Sequence, residues 1–225
     1  MSEPAGVLVD LDGTLTDRHL SIEKYAADFL GNFRSKLAPT TQARLTAALI
    51  DCDGDGYDVE RFENMQVRIE WRDAPAVEII ADHWSRRFSP NAVARPGALA
   101  ALQDLRQRGC KLAIVTNGGT AAQNVKIGAL GLESMVDSIV ISEAEGVSKP
   151  AAEIFEIALR NLALPASRCW FVGDNPEKDV AGAGDAGLTA VWFVGDLPWP
   201  VEMQRPSFSI TNWAQFGALL RKGAQ

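Results

Sequence analysis

The sequence has few residues suited to disulfide, zinc or histidine chemistry. Its three cysteines, Cys52, Cys110 and Cys169, are scattered and form no Cys-x-x-Cys pair. We therefore expect reduced, mostly buried thiols in a cytoplasmic protein. The chain has only two histidines, His19 and His83, and no Gly-x-Ser-x-Gly motif, which argues against a serine-hydrolase triad.

A basic surface and long apolar runs are missing as well. The 225 residues include 29 acidic and 22 basic side chains, giving a formal net charge of −7. This balance argues against a nucleic acid held mainly through its phosphate backbone, which requires clustered Lys and Arg. The first residues lack a signal-peptide layout, and no apolar run is long enough to span a bilayer. We expect a cytoplasmic protein without membrane or nucleic-acid partners.

The stretch from Val7 to Leu15 is the first candidate for chemistry. A short run of Val and Leu predicts a buried strand, and it is followed by Asp10, Asp12 and Gly13. In open parallel sheets, ligands bind at the carboxyl ends of the strands. The same Asp-x-Asp-Gly pattern is also typical of an ordinary polar turn after a strand, so the rest of the chain must decide between the two interpretations.

Residues 18–94 show helical periodicity and no clear strand pattern. The segments predicted to be helical are Ser21–Phe33, Thr40–Ile50, Val59–Trp71 and Pro75–Phe88. In the first of them, apolar residues recur at three- and four-residue spacing, which predicts one buried face made of Ile22, Tyr25, Ala26, Phe29, Leu30 and Phe33. We interpret 18–94 as an inserted helical cap domain.

An acidic, glycine-rich stretch inside this insertion, residues 51–57, resembles the start of an EF-hand calcium loop. The twelfth position of such a loop needs a bidentate Glu, and here it is Phe62. A polar turn between two helices is therefore the preferred interpretation.

From residue 95 onward the pattern alternates between helix and strand. The predicted strands are Lys111–Val115, Ser138–Ile141, Cys169–Val172, Thr189–Val194 and Phe208–Ile210, with helices between them and a last helix over Trp213–Leu220. Such alternation predicts an α/β fold, with a Rossmann-like parallel sheet covered by helices on both faces. Residues 1–17 and 95–225 would form this core domain.

Polar residues collect where the predicted core strands end. Asp10 and Asp12 follow the first strand, Thr116 and Asn117 the second, Lys149 comes after the third, and Asp174 and Asp179 follow the fourth. If these strands are neighbours, all of these side chains converge on one crevice. This coincidence favours a functional site over a simple turn at Asp10.

The order of these motifs resembles that of the haloacid dehalogenase superfamily. Asp-x-Asp-Gly-Thr, Thr-Asn, Lys-Pro and Gly-Asp-x-x-x-x-Asp all occur in sequence order between residues 7 and 195. The resemblance is to the phosphatase branch with a helical cap of the C1 type inserted after the first motif, subfamily I, which includes phosphoglycolate phosphatases and nucleotidases. It implies a hydrolase that acts on a small phosphomonoester and requires Mg²⁺.

The resemblance assigns different roles to the two acids of the first motif. Asp10 would be the nucleophile that forms an aspartyl-phosphate. Asp12 would be the general acid and base, with its backbone carbonyl binding the metal. The implied Mg²⁺ ligands are Asp10, Asp12 and Asp174, an all-oxygen set that suits a hard cation.

Four further residues would bind phosphate or support the metal. Thr116 and the N–H of Asn117 would bind phosphate oxygens, although Thr116 or Thr120 at a helix N-cap is an alternative interpretation. Lys149 would bridge the nucleophile and the phosphoryl oxygens, whereas an isolated lysine is more often a surface residue. Asp179 would be either a second acid near the metal or a charge in the first turn of a helix.

Rival functions differ in a few features. A sugar-phosphate mutase would share the whole catalytic set and differ in protecting its intermediate from water. A haloacid dehalogenase would lack the acid at position 12, and a non-catalytic module would have lost Asp10, Asp12, Lys149 or Asp174. We therefore expect a Mg²⁺-dependent phosphatase, monomeric or homodimeric, with a cap that supplies substrate contacts.

Overall fold

The computed structural model describes residues 3–53 and 59–222. The chain divides into two compact units: a core unit, up to Asp17 and from Ala94 onward, and a helical unit, Arg18–Val93. Ala94 belongs to the core unit, where it forms an isolated antiparallel bridge with Thr16. The two segments that connect the core unit to the insertion therefore run side by side.

Six strands and ten α-helices are present in the described residues. The strands are β1 (Gly6–Val9), β2 (Lys111–Thr116), β3 (Ser138–Ile141), β4 (Cys169–Gly173), β5 (Thr189–Phe193) and β6 (Phe208–Ile210). The helices are α1 (Arg18–Asn32), α2 (Gln42–Asp51), α3 (Val59–Arg68), α4 (Val77–Arg87), α5 (Ala98–Gln107), α6 (Thr120–Ala129), α7 (Ser142–Glu145), α8 (Ala152–Leu162), α9 (Gly182–Asp185) and α10 (Trp213–Lys222).

All six strands of the core unit form one parallel sheet in the order β3-β2-β1-β4-β5-β6. The predicted α/β class with a Rossmann-like sheet is thus confirmed. The first strand lies in the middle, between β2 and β4, because consecutive βα units are added on both sides of it. The residues that follow β1 therefore lie beside the ends of two neighbouring strands.

Side chains of the central strands alternate between the two faces of the sheet. Val7 and Val9 of β1 pack with Leu102 of α5 and Trp213 of α10 on one face. Leu8 packs with Phe155 of α8 on the other face. Each fully buried apolar side chain of this size contributes about 1.5–3 kcal/mol, so the layers on both faces fix the position of β1 and of the residues at its end.

The helical unit has its own apolar core. Tyr25 and Phe29 of α1 and Phe62 of α3 are buried in it, together with Ile80 and Trp84 of α4. The face predicted for the first helix is confirmed, except that its Leu30 is only partly buried.

Residues 54–57 of the acidic stretch that resembles a calcium loop lie outside the described residues. Of its described part, Asp51 ends α2. The Asp53 carboxylate pairs with the guanidinium of Arg18 and lies 3.8 Å from that of Arg61. The predicted turn between two helices stays a prediction.

None of the helices in the described part of the chain combines the length and the apolar character that crossing a membrane requires. The three cysteines are free and buried, as the sequence predicted.

Candidate active site

The register of the sheet brings the polar ends of three strands together. Val9 pairs with Ile114 of β2 on one side and with Val172 of β4 on the other. The next residue, Asp10, donates its backbone N–H to the Val172 carbonyl at 2.9 Å. The Asp10 side chain therefore leaves the sheet between the ends of β2 and β4, the edge at which parallel sheets bind ligands.

Lys149 reaches this position from the segment between β3 and α8. Its ammonium lies 2.5 Å from Asp10 Oδ1 and 2.7 Å from Asp179 Oδ1. Only 4% of the residue is exposed, so the interpretation as a surface lysine is wrong. Burial lowers the pKa of the ammonium, but Asp10 and Asp179 outweigh this effect and raise the net pKa above its usual value.

Asn117 holds the backbone of Lys149 in place. Its side-chain amide donates to the Lys149 carbonyl at 2.9 Å, and its Oδ1 accepts the Lys149 N–H at 2.9 Å. This pair of hydrogen bonds connects the end of β2 to the segment that carries the buried ammonium. The sequence had assigned a role only to the backbone N–H of Asn117, and the structure adds this contact of its side chain.

Asp10, Asp174 and Asp179 each direct a carboxylate oxygen to one place, where these oxygens lie within 4.8 Å of one another. With Lys149, the four side chains carry a formal charge of −2 when ionised. Burial, followed by the charges of Asp179 and Asp174, raises the pKa of Asp10 well above its usual value, against the opposing effect of Lys149. Burial and then Asp179 raise the pKa of Asp174 to about 7.

This donor set fits a divalent cation such as Mg²⁺. It consists of carboxylate oxygens, the ligands that hard cations prefer. The raised pKa values of Asp10 and Asp174 show that the protein alone does not fully stabilise the ionised forms of these two acids. Gly13 leaves room beside the cluster, because a Cβ there would lie 2.3 Å from Asp174 Oδ2. Its φ of +83° also favours glycine.

Asp179 lies in the first turn of a helix, as one interpretation of the sequence expected, and it also belongs to the acidic cluster. The helix is a short π-helix, Pro176–Ala181, and Asp179 is buried. Its Oδ2 accepts the Asn175 N–H at 2.9 Å. The Asn175 side chain caps the same helix by accepting from the N–H groups of Glu177 and Lys178.

Asp12 lies in a second polar group, with two partners that the sequence pattern did not indicate. Lys126 Nζ lies 2.8 and 2.7 Å from its two carboxylate oxygens, and Gln123 Nε2 lies 3.0 Å from Oδ2. Both partners are on α6. A helix with one buried face offers no local sign of which polar residues turn inward, although their spacing of three residues would have allowed them to share a face.

Thr116 joins this second group and does not cap a helix. Its hydroxyl accepts from Gln123 Nε2 at 2.8 Å. The N-cap of α6 is Gly119, which makes no side-chain cap, and the N–H of Thr120 donates to Glu143 Oε2 at 2.7 Å. The alternative in which Thr116 or Thr120 is an N-cap is therefore wrong.

The backbone at Asp174 is held by an indole that the sequence did not assign to the site. Trp192 of β5 donates its Nε1–H to the Asp174 carbonyl at 3.0 Å. The contact spans two neighbouring strands, β4 and β5, and fixes the main chain that carries one of the three clustered acids.

Comparisons with known proteins agree with the fold and with the family that the motifs resemble. A family model described as haloacid dehalogenase-like hydrolase matches residues 4–187. The chain is 36% identical over 128 residues to the pyrimidine 5'-nucleotidase YjjG of Escherichia coli K12, covering 56% of each protein. It is 38% identical over 111 residues to a ribulose-1,5-bisphosphate 5-phosphatase of Halopiger xanaduensis, covering 49% of this chain and 46% of that protein. The chain thus spans about half the length of these curated relatives.

The fold is also similar to that of solved structures over nearly the whole chain. The putative HAD-hydrolase YfnB of Bacillus subtilis, described as bound to magnesium, superposes with a TM-score of 0.72. The match covers 98% of this chain and 99% of that one, at 21% sequence identity. At this identity the similarity shows a common fold.

Proposed function

Since the chain belongs to the haloacid dehalogenase-like hydrolase family, we propose that this hydrolase is a Mg²⁺-dependent phosphatase that acts on a small phosphomonoester. Asp10 is the nucleophile, Asp12 the general acid and base, and Lys149, Thr116 and Asn117 bind the phosphoryl group. The observation that carries the proposal is the buried group in which Lys149 contacts Asp10 and Asp179 beside Asp174.

In the first half of the reaction, an Asp10 carboxylate oxygen attacks phosphorus and the bond to the ester oxygen breaks. Asp12 gives its proton to that oxygen, so that the product leaves as an alcohol. Lys149 beside Asp10 supplies positive charge where the transferring phosphoryl oxygens are negative. The product of this half is an aspartyl-phosphate on Asp10.

In the second half, Asp12 takes a proton from water as the water oxygen attacks phosphorus. The bond between phosphorus and the Asp10 oxygen breaks, which releases inorganic phosphate and restores the Asp10 carboxylate. Asp12 ends protonated, ready for the next ester. Asp10 thus forms and breaks the bonds to phosphorus on the enzyme, and Asp12, two residues further on, transfers the protons.

Asp10, Asp12 and Asp174 are the proposed Mg²⁺ ligands, with Asp179 in support and with Asp12 contributing its backbone carbonyl. When bound, the ion offsets the repulsion between the carboxylates and a dianionic phosphate. The negative formal charge of the cluster and the raised pKa values of Asp10 and Asp174 support this assignment.

Asp12 favours a phosphatase over a haloacid dehalogenase, because displacement of a halide needs no proton donor whereas loss of an alcohol does. The relatives named above act on a nucleotide and on a sugar bisphosphate, which supports a small organic phosphate as the substrate class.

The test is a phosphate-release assay with Mg²⁺ on p-nitrophenyl phosphate, sugar phosphates and nucleoside monophosphates. We expect release that EDTA stops. Asp10→Asn should lower turnover at least about 10³-fold while the far-UV spectrum and melting profile stay native-like. Full activity of Asp10→Asn would refute the mechanism. A phosphorylated isomer without free phosphate would instead identify a mutase.

A further inference from the structure

Helix α6 directs two long polar side chains at Asp12 from one face. Gln123 and Lys126 are three residues apart and therefore neighbours on the helix surface. Lys126 Nζ lies 2.8 Å from Asp12 Oδ1 and 2.7 Å from Oδ2. The contact joins residues 114 positions apart in the chain, so it is a product of the tertiary fold.

The burial of these side chains indicates that the contact is built in and is not an incidental surface pair. Gln123 is 2% exposed, and the side chain of Lys126 is 11% exposed. Holding a lysine in one buried position is unfavourable, because the side chain loses rotamer entropy and hydration. Asp12 is the partner that compensates for this loss, and both of its carboxylate oxygens are engaged.

Gln123 extends the group to the phosphate-binding residues proposed above. Its Nε2 lies 3.0 Å from Asp12 Oδ2, 2.8 Å from Thr116 Oγ1 and 3.0 Å from the Asn117 carbonyl oxygen. One amide nitrogen therefore contacts Asp12, in the loop after β1, and Thr116 and Asn117 at the end of β2. The position of the Asp12 carboxylate is thereby coupled to that of the Thr116–Asn117 turn.

We infer that Lys126 and Gln123 are positioning residues that hold the Asp12 carboxylate in the orientation in which it exchanges a proton with the ester oxygen and with water. The inference rests on the proposed function, in which Asp12 is the acid and base. Contacts to both oxygens fix the plane of the carboxylate. A hydrogen bond from Thr16 Oγ1 to Asp12 Oδ1, 3.3 Å long and within the same loop, restrains it further.

The consequence is a defect in proton transfer when Lys126 is removed. A misplacement of about 1 Å at a reacting group costs about 10²-fold in rate. An alkyl ester needs a proton at its leaving oxygen, whereas p-nitrophenolate leaves without one. Loss of Lys126 should therefore affect the two kinds of ester unequally.

The experiment compares Lys126→Met and Lys126→Arg with the wild type in Mg²⁺, on p-nitrophenyl phosphate and on an alkyl phosphate. For Lys126→Met we expect kcat/KM to fall about 10²-fold on the alkyl ester and less than about tenfold on the aryl ester. Lys126→Arg, which keeps a cation with a long side chain, should restore most of the alkyl-ester activity.

Lys111→Met is the matched control. Lys111 begins β2, at the opposite edge of the sheet, and its Nζ donates to the Leu162 carbonyl at 2.6 Å. We expect this variant to retain wild-type kinetics on both esters, which separates the loss of a lysine that contacts Asp12 from the loss of a hydrogen-bonded lysine elsewhere.

Two kinetic outcomes would overturn the inference: a Lys126→Met enzyme equal to the wild type, or an equal fall on both esters. An inactive wild type would refute the proposed function and with it the proton-transfer role of Asp12. Crystal structures of the wild type and Lys126→Met then decide whether Lys126 positions the Asp12 carboxylate. A displaced Asp12 carboxylate in the variant would support this positioning, and an unchanged carboxylate would overturn it.

Discussion

At Lys149, a single buried ammonium contacts two carboxylates, Asp10 and Asp179, with Asp174 close by. The lysine is stabilised by these anions, and the anions depend on it in turn, because burial alone disfavours every charge in the group. Asn117 fixes the backbone of the lysine through two hydrogen bonds. The stability of this small region is therefore coupled to the groups that we assign to catalysis.

We predict that Lys149→Met, measured in the absence of metal, lowers the free energy of unfolding by about 3–5 kcal/mol. This is the usual effect of removing one partner from a buried ion pair. Urea denaturation at about pH 8 measures it, since the carboxylates are then ionised in the unfolded chain. The double variant Lys149→Met with Asp10→Asn should recover part of the loss because it removes a carboxylate as well. A single variant as stable as the wild type would contradict the prediction.

Helices α1 and α4 of the helical unit are joined by a polar contact inside an aromatic core. Tyr25 of α1 and His83 of α4 share a hydrogen bond of 2.8 Å between the hydroxyl and Nδ1. His83 Nε2 lies 3.9 Å from Asp28, whose carboxylate also pairs with Arg87 at 2.8 Å. Burial lowers the pKa of His83. The charge of Asp28 opposes this effect, the charge of Arg87 adds to it, and the net pKa is lowered.

This lowered pKa predicts a pH dependence of stability. The folded pKa of His83 lies below the unfolded value of about 6.5, so its contribution is complete above that pH and is lost as the pH falls through the folded pKa. Between about pH 7.5 and about pH 5, His83→Gln should lose less unfolding free energy than the wild type does.

His19→Gln is the control for this measurement, because it removes the other histidine, which lies on the same helix α1 as Tyr25. It shows how much of any change follows from losing a histidine in the helical unit. If His83→Gln and the wild type show the same change with pH, the lowered pKa does not contribute to stability.

For the whole molecule, the division into two compact units assigns the proposed metal site to one of them. All three carboxylates of the acidic cluster belong to the core unit, and none belongs to Arg18–Val93. A ligand that binds only the folded state stabilises the unit that holds it, by about 2.7 kcal/mol at a hundredfold excess over Kd.

We therefore predict that Mg²⁺ raises the melting temperature of the wild type and slows hydrogen exchange in β1 and β4. Asp174→Asn should abolish most of both effects, because it removes a proposed ligand and leaves Asp10 and Lys149 in place. Exchange measured by mass spectrometry with Mg²⁺ or EDTA is the assay. A shift in Asp174→Asn equal to that of the wild type would contradict the assignment of this residue as a ligand.

Much of the fold followed from local patterns. The alternation of helix and strand predicted the parallel sheet, and the strand predicted over Ser138–Ile141 has the bounds that the structure gives. Helix ends agree less well, as for Val59–Trp71, where α3 ends at Arg68. The short helix α7 was not predicted, since four residues are too few for a periodic pattern.

What the sequence determined by itself is the set of polar residues at the strand ends and the order of their motifs, because strand and helix periodicity are local properties of the chain. Only the tertiary structure decided which of these residues are in contact. It buried Lys149 between Asp10 and Asp179 and brought Lys126 of α6 to Asp12. Burial and ion pairing depend on how distant segments pack, and no local pattern in the sequence records that packing.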